Sequence, residues 1–241
     1  MINALVKGKF KEGHKEKEDT LTSAVFDYLL LLPSSLIWEI IKKSNILNTD
    51  MPSEIGDLIH IDFWPHWSTK KIADKLEGGN NIFIEPDLFI ETDNYYLIIE
   101  AKRYDDNQQS RIQWNDQIYT FYEKYKEEII EKPLLYFAIG GLWSEHPFHL
   151  DIPETDNKQA IFKIKWLRLL EQCKEKRIEL EKLNTNSTCK MQINILKNIE
   201  LGMKHHGYYL PDLKWLSTLK TETKTINESI NHIKQWKIIQ H

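Results

Sequence analysis

Two β-rich stretches decide the fold: Asn81 to Glu91 reads NIFIEPDLFIE, and Tyr95 to Lys102 reads YYLIIEAK. Both are rich in branched and aromatic residues, which favour strands. Asp93 and Asn94 lie between them, and these residue types suit a tight hairpin turn. Pro86 indicates an edge or a bulge at its position, because proline cannot donate to a strand ladder. We therefore predict an antiparallel hairpin that ends at Lys102.

The turn fixes which charged residues of the hairpin face each other. With an even-numbered loop, Asp87 faces Glu100. In the same register, Glu85 faces Lys102. Side chains alternate along a strand, so these four side chains project from one face. An odd loop, or a bulge at Pro86, would shift the pairing by one residue.

The end of the second strand carries charge at the margin of a core. Residues 95–99 are apolar on both faces, as is typical of a sheet that is covered on both sides. Burying an unpaired charge costs on the order of several kcal/mol. The carboxylates of Asp87 and Glu100 would also repel each other. A divalent cation between them relieves both costs, and oxygen ligands suit Mg²⁺ or Mn²⁺.

At these residues the chain resembles the PD-(D/E)XK nuclease superfamily. Pro86-Asp87 stands thirteen residues before Glu100-Ala101-Lys102. The superfamily pattern is likewise a Pro-Asp, a short hairpin, and then an acidic residue, any residue and lysine. The resemblance covers roughly residues 15–140. It implies an α/β, restriction-endonuclease-like fold with an αβββαβ core, in which helices flank a mixed central sheet.

The resemblance also implies an activity and the residues that perform it. Superfamily members hydrolyse phosphodiester bonds in nucleic acid, with Mg²⁺ as cofactor, and we expect Mn²⁺ to substitute. DNA is the expected substrate. Asp87, Glu100 and the backbone carbonyl of Ala101 would hold the metal. Lys102 would position the attacking water or help to activate it.

Two further positions are similar to superfamily features. Many members place a glutamate near the metals on the first core helix; Glu18 is the candidate here, and Glu16 is its competitor. Some members carry a glutamine in the helix that follows the lysine strand, and Gln117 fits that place. For Glu18 a solvated capping-box or helix-surface role stays open, and for Gln117 a helix-surface role stays open.

Hydrophobic periodicity predicts the elements around the hairpin. They are a helix from Leu21 to Leu32 that Pro33 ends, a helix from Ser34 or Ser35 to Lys42, a strand from Gly56 to Trp64, a helix from Gln108 to Ile130 and a strand from Leu134 to Ile139. Their order is α, α, β, β, β, α, β, which matches the core that the resemblance implies.

The remaining residues have a different character. We predict a strand from Ala160 to Trp166 and helices over Trp166 to Leu183, Lys190 to Lys204, and Ser217 or Thr221 to Ile239. We therefore divide the chain into a nuclease-like core over residues 1–152 and a basic, mainly helical extension over residues 153–241. The extension is packed on the core or forms a small appended domain.

The net charge of −4 hides an asymmetry. Residues 1–157 hold 16 Lys+Arg and 28 Asp+Glu, a balance of −12. Residues 158–241 hold 16 Lys+Arg and 8 Asp+Glu, a balance of +8. Basic residues of this second half can neutralise phosphates. Lys163, Lys165 and Arg168 are the candidate nucleic-acid contacts, although a solvated helical face explains them equally well.

The sequence also argues against a secreted protein, a membrane protein, an NTPase and a histidine metal site. Residues 1–17 lack the apolar core of a secretory signal and no long apolar run could span a membrane, so we expect a cytoplasmic protein without a membrane partner. No phosphate-binding loop of the NTPase type is present. His60, Asp62 and His66 suit structural or solvent-exposed roles better than a metal cluster.

The partners and the setting of the protein stay open at this level. Nucleic acid is the expected partner, and a homodimer or a partner protein from a defence, transposition or repair system is possible. The first alternative is a catalytically silent nucleic-acid-binding or complex-assembly subunit on the same fold. The second is a structural adaptor, which would be favoured if Asp87 and Glu100 pointed apart.

Overall fold

The computed structural model describes residues 2–9, 18–47, 50–78, 82–104, 106–126, 132–146, 148–152, 158–183 and 187–210. The described residues from 2 to 209 belong to one compact unit. The helix predicted between Ser217 or Thr221 and Ile239 lies outside the described residues. None of the described helices is long and apolar enough to cross a membrane.

Six strands form a mixed central sheet. The strands of the structure are β1 Leu58–Phe63, β2 Trp67–Ser68, β3 Phe83–Ile84, β4 Leu88–Thr92, β5 Tyr96–Ala101, β6 Leu134–Ile139, β7 Phe148–Asp151 and β8 Lys158–Ile164. The central sheet has the order β1-β4-β5-β6-β8-β7, while β2 and β3 form a separate small ladder. Strands β5, β6 and β8 run parallel, and the other neighbours in the sheet are antiparallel.

Helices cover both faces of this sheet. They are α1 Ile2–Val6, α2 Glu18–Leu29, α3 Ser34–Ser44, α4 Arg111–Tyr125, α5 Trp166–Leu183 and α6 Ser187–His205, with a short 3₁₀ turn at Ala73–Lys75. Helix α5 packs on α3 and on α6, and α6 packs on α2. The prediction of an α/β fold with a mixed, helix-flanked sheet is confirmed.

Strand β6 shows why the sheet residues are apolar on both faces. All six of its residues are buried. The Phe137 ring lies 6.2 Å from the Trp38 ring of α3 on one face. The neighbouring Tyr136 packs on the other face, in a core cluster with Trp114 and Phe121 of α4. The parallel strands are thus covered on both sides, as their sequence indicates.

The hairpin has the predicted register over most of its length. Leu88 pairs with Ile99, and Glu91 pairs with Tyr96. The prediction that Glu85 faces Lys102 is wrong. Pro86 interrupts the strand, so β3 pairs with β2 instead of continuing the central sheet.

The other elements fall close to their predicted places. Strand β6 and helix α5 have the predicted bounds, and the helices near Leu21, Ser34 and Lys190 are present. Helix α4 begins later than predicted, at Arg111, because the Ser110 side chain caps it by accepting from the Gln113 backbone N–H at 3.3 Å. Strand β7 was not predicted.

The described part of residues 153–241 adjoins the rest of the fold. Strand β8 lies between β6 and β7 in the central sheet. Residues 153–209 belong to the same compact unit as residues 1–152. A functional division of the chain at residue 152 stays a prediction.

Candidate functional site

The end of the β4–β5 hairpin joins the two halves of the predicted motif. Asp87 directly precedes β4, and its Oδ2 accepts a hydrogen bond of 2.7 Å from the backbone N–H of Ala101. Glu100 is the neighbouring residue on β5. Asp87, Glu100 and Ala101 are all buried. The hairpin therefore places two carboxylates beside each other at the end of a sheet, where water is largely excluded.

Trp64 fixes the other oxygen of Asp87. Its indole Nε1 donates to Asp87 Oδ1 at 3.1 Å, and its backbone N–H donates to the Asp87 carbonyl at 3.1 Å. Trp64 is buried, and its φ of 50° lies in the left-handed region that a bulky residue rarely adopts. Both the indole and the backbone N–H of Trp64 thus hold Asp87.

Glu18 and Lys102 complete a four-residue cluster. Ligand oxygens of Glu18, Asp87 and Glu100 all lie within 4.8 Å of one another. The Lys102 ammonium donates to Glu18 Oε1 at 3.1 Å and also to Glu100 Oε1. Glu18 is the first residue of α2, so this helix directs its first turn at the site. Its competitor Glu16 lies outside the described residues.

Two glutamines of α4 hold the Glu100 carboxylate. Gln113 Nε2 donates to Glu100 Oε1 at 2.7 Å, and Gln117 Nε2 donates to Glu100 Oε2 at 2.7 Å. The Tyr136 hydroxyl donates to Gln117 Oε1 at 2.5 Å. Because that bond occupies the amide oxygen, it directs the Gln117 NH₂ group at Glu100. Gln117 is therefore a buried partner of Glu100 and not a helix-surface residue.

The backbone of Lys102 is held by two other elements. Its N–H donates to the Ile139 carbonyl at 2.7 Å, and its own carbonyl accepts from Trp166 Nε1 at 2.6 Å. Gly140 has a φ of +66°, and a Cβ there would clash with the Lys102 carbonyl oxygen and the Trp166 indole. Only glycine fits this close approach.

Burial and mutual repulsion shape the charges of the cluster. Burial raises the pKa of Asp87 well above its ordinary value, and the neighbouring Glu100 charge raises it further. Burial likewise raises the pKa of Glu100. Burial alone would lower the pKa of Lys102, but the carboxylates of Glu100, Asp87 and Glu18 outweigh it and raise that pKa above its ordinary value. The neighbouring carboxylates therefore favour the charged form of Lys102.

The donor set fits a divalent cation. Three carboxylates and one ammonium leave two negative charges in a partly buried space. Carboxylate oxygens are the ligands that Mg²⁺ and Mn²⁺ prefer. Glu18, Asp87 and Glu100 could supply these oxygens. Ala101, whose carbonyl is the other predicted ligand, is the last residue of β5 and follows Glu100 directly. Without a cation, this surplus of negative charge favours a proton on Asp87.

The histidines near β1 do not form a competing centre. Asp62 pairs with Lys7 at 3.0 Å, and His66 pairs with Glu85 at 2.7 Å. Within the described ranges, Glu18, Asp87 and Glu100 are the only group of acidic, histidine or cysteine side chains close enough to share a metal ion.

The candidate phosphate-binding residues have partners within the protein. Lys163 Nζ lies 5.7 Å from the centre of the Trp114 ring, and burial lowers its pKa. Lys165 lies 4.0 Å from a Glu145 oxygen. Arg168 pairs with Glu171 at 3.1 Å. Their contact with nucleic acid stays a prediction.

Sequence reasoning missed five residues that support the site, Trp64, Gln113, Tyr136, Gly140 and Trp166. They lie after β1, in α4, in or directly after β6, and at the start of α5. One signal was present for Gln113, because its four-residue spacing from Gln117 puts both amides on one face of a helix. Nothing in the sequence linked Trp64 or Tyr136 to the carboxylates, since the fold alone brings them together.

The chain is similar to an uncharacterized protein of Pasteurella multocida (strain Pm70). Over 244 aligned residues the two are 30% identical, and the match covers 91% of this chain and 85% of that protein. No family model and no solved structure matches the chain.

Proposed function

The chain belongs to the same family as this Pasteurella multocida protein, and from the chemistry of the site we propose that it is a Mg²⁺-dependent nuclease of the PD-(D/E)XK superfamily. The proposed fold is the restriction-endonuclease-like core. Apart from the small ladder of β2 and β3, the elements from α2 to β6 follow the order α2, α3, β1, β4, β5, α4, β6. This order supports the proposed fold, because it contains the αβββαβ arrangement of the superfamily.

One observation carries the proposal. The motif residues Asp87, Glu100 and Lys102 converge, with Glu18 beside them, although Glu18 and Lys102 are 84 residues apart in the chain. Two buried carboxylates and a lysine gathered at the end of a hairpin cost stability. A bound cation compensates for that cost, and such a site is suited to a reaction in which negative charge develops on phosphoryl oxygens.

The residues of the chain have distinct roles in this mechanism. Asp87, Glu100 and the Ala101 carbonyl would hold Mg²⁺, with Glu18 as a further ligand. When bound, the metal would supply stabilisation of the charge that develops on the scissile phosphate. Lys102 orients the attacking water and neutralises charge beside it. Gln113 and Gln117 hold Glu100 in its ligating orientation. The water oxygen forms a bond to phosphorus in line with the departing oxygen, the phosphodiester P–O bond breaks, and the proton that the water loses ends, through solvent, on the departing oxygen.

The direct test incubates the purified protein with DNA and a divalent metal. Plasmid, linear duplex and single-stranded DNA are incubated with Mg²⁺ or Mn²⁺, and then with EDTA. We expect the wild type to cleave DNA only when the metal is present. We expect Lys102→Ala not to cleave it. Equal degradation by the two proteins would refute the proposed nuclease, because it would show only a contaminating activity.

A binding measurement in the same experiment addresses the catalytically silent alternative. Retention of DNA that weakens with salt, without metal-dependent cleavage, would instead favour a nucleic-acid-binding or complex-assembly subunit. The homodimer and the partner protein of a defence, transposition or repair system stay proposals, as does a cytoplasmic location.

A further inference from the structure

A groove of about 620 Å³ lies beside the carboxylate cluster. One wall carries Gln113 and Gln117 of α4, and the other carries Ile82, Phe83 and Glu85 around β3. Its size falls within the range of pockets that hold small organic groups, about 300–1,000 Å³. The metal mechanism proposed above uses the two glutamines but leaves the rest of this groove without a role.

The groove adjoins the site, with Gln113 and Gln117 between them. Gln113 and Gln117 line it, and each donates a 2.7 Å hydrogen bond to one oxygen of Glu100. On the opposite wall, Glu85 is two residues from Asp87. A group in the groove is therefore separated from the carboxylates by one layer of side chains. The groove is therefore next to the place where the proposed nuclease would hold the scissile phosphate.

The rim of the groove is apolar and exposed. Ile82 is 74% exposed, Phe83 is 46% exposed and Ile112 is 47% exposed. The His66 ring lies 4.6 Å from the Phe83 ring, so the two form one aromatic surface. Exposed apolar side chains that gather around a cleft mark a binding surface more often than scattered ones do.

The charged side chains around the groove indicate which chemical class of ligand it can hold. Glu85 and Asp116 line the groove, and none of its described lining residues is a lysine or an arginine. Lys9 and His66 both contact Glu85, but neither of them lines the groove. A phosphate would meet carboxylates without a cation inside the groove. A neutral, planar group would instead gain contact with the Phe83 ring.

We propose that this groove holds an unpaired nucleobase of the nucleotide next to the scissile phosphate, stacked on Phe83. The inference rests on the proposed nuclease function. Bases in a duplex are paired and stacked, so a base can enter the groove only from a single strand or from a locally opened one. The substrate class is therefore single-stranded or locally unpaired DNA, and intact duplex is a poor substrate.

Base binding can be measured without cleavage. The probe is a short single-stranded oligodeoxynucleotide that contains a fluorescent adenine analogue whose emission falls when it stacks on an aromatic ring. It is titrated into the full chain in EDTA, beside the same oligonucleotide in a duplex. We expect quenching with the single strand only. Phe83→Ala should weaken binding by about 5- to 150-fold, the range of base–aromatic stacking.

Three further variants distinguish a loss of base stacking on Phe83 from other causes of weaker binding. Phe83→Trp should restore binding and quenching, because it keeps an aromatic face. Phe83→Leu should not restore them, since it keeps apolar volume without a ring. Leu201→Ala removes an exposed apolar side chain of α6 and should bind like the wild type. Thermal melting of each variant shows whether it folds.

The two proposals can fail separately. The groove does not hold a base if the wild type prefers duplex DNA, or if Phe83→Ala binds and quenches as the wild type does. The nuclease proposal then stands as long as the wild type cleaves DNA with metal. If single strands are quenched through Phe83 but no metal supports cleavage, the base-binding groove stands and the nuclease proposal is overturned.

Discussion

The backbone N–H of Ala101 donates a 2.7 Å hydrogen bond to Asp87 Oδ2. This bond ties the residue between Glu100 and Lys102 to the Asp87 carboxylate across the hairpin. Because Trp64 donates to the other Asp87 oxygen, the carboxylate cannot rotate freely. The position of Asp87 is thus preorganised for a ligand, and its charge is left for a cation to balance.

Metal binding should stabilise the protein through this carboxylate. A ligand that binds only the folded state at about 100 times its Kd adds about 2.7 kcal/mol to the free energy of unfolding. We expect Mg²⁺ and Mn²⁺ to raise the Tm of the wild type but not that of Asp87→Asn. Thermal melting with and without EDTA measures this. An equal rise in both proteins would place the bound metal elsewhere.

The stability of the metal-free protein should depend on pH through Asp87. A carboxyl whose pKa is raised on folding contributes stability below its ordinary pKa, near 3.8, and loses it as the pH rises toward the raised value. Within that window the free energy of unfolding falls by about 1.4 kcal/mol per pH unit for each such proton.

Denaturant unfolding in EDTA over a series of pH values compares the wild type with Asp87→Asn. We expect the stability of the wild type to fall relative to the variant as the pH rises above about 4. Only the slope of the difference matters, since Asn also changes the hydrogen bonds from Trp64 and Ala101. Parallel curves would mean that Asp87 keeps its ordinary pKa.

Tyr136 should act on catalysis through Gln117. Tyr136→Phe removes the bond that orients the Gln117 amide, and we expect about 1 kcal/mol less stability, with a fall in kcat. Tyr122→Phe is the matched control, because its hydroxyl also donates to a glutamine, Gln159, at 3.1 Å. The control should lose similar stability and keep its kcat. A comparable loss of kcat in both variants would show a general structural effect.

Gly140 should be required for the placement of Lys102. Gly140→Ala adds a Cβ that clashes with the Lys102 carbonyl oxygen, so we expect a large loss of stability and of cleavage. Gly207 has a similar positive φ, +89°, with open space around it. Gly207→Ala should therefore cost only about 1–2 kcal/mol of backbone strain. Melting curves that fall equally in the two variants would show that the clash is relieved at no cost.

The sequence predicted the pairing register of the motif residues, but it did not predict which residues hold them in place. Asp93 and Asn94 fix a tight turn, so alternation from that turn places Asp87 near Glu100. The same reasoning failed for the predicted pairing of Glu85 with Lys102, because Pro86 interrupts the strand between Glu85 and β4. Local patterns carry no information on which distant elements meet.

The residues that hold the site from distant parts of the chain show this limit most clearly. The indole of Trp64 reaches Asp87 only because β1 pairs with β4, and Tyr136 reaches Gln117 only because α4 packs on β6. Gly140 carried a turn signal in the sequence, but its tight contact with Lys102 depends on the parallel pairing of β5 with β6. Such positions need the three-dimensional fold.

The central claim is that Asp87, Glu100 and Lys102 cleave phosphodiester bonds with a bound metal. Single-turnover cleavage of single-stranded DNA, titrated with Mg²⁺, compares the wild type with Lys102→Ala. Lys132→Ala is the matched control, since Lys132 pairs with Glu91 at 2.6 Å and is also mostly buried. The account predicts a loss of about 100-fold or more for Lys102→Ala and little change for Lys132→Ala. Equal Mg²⁺-dependent rates in all three proteins, or no Mg²⁺-dependent cleavage by the wild type, would contradict it.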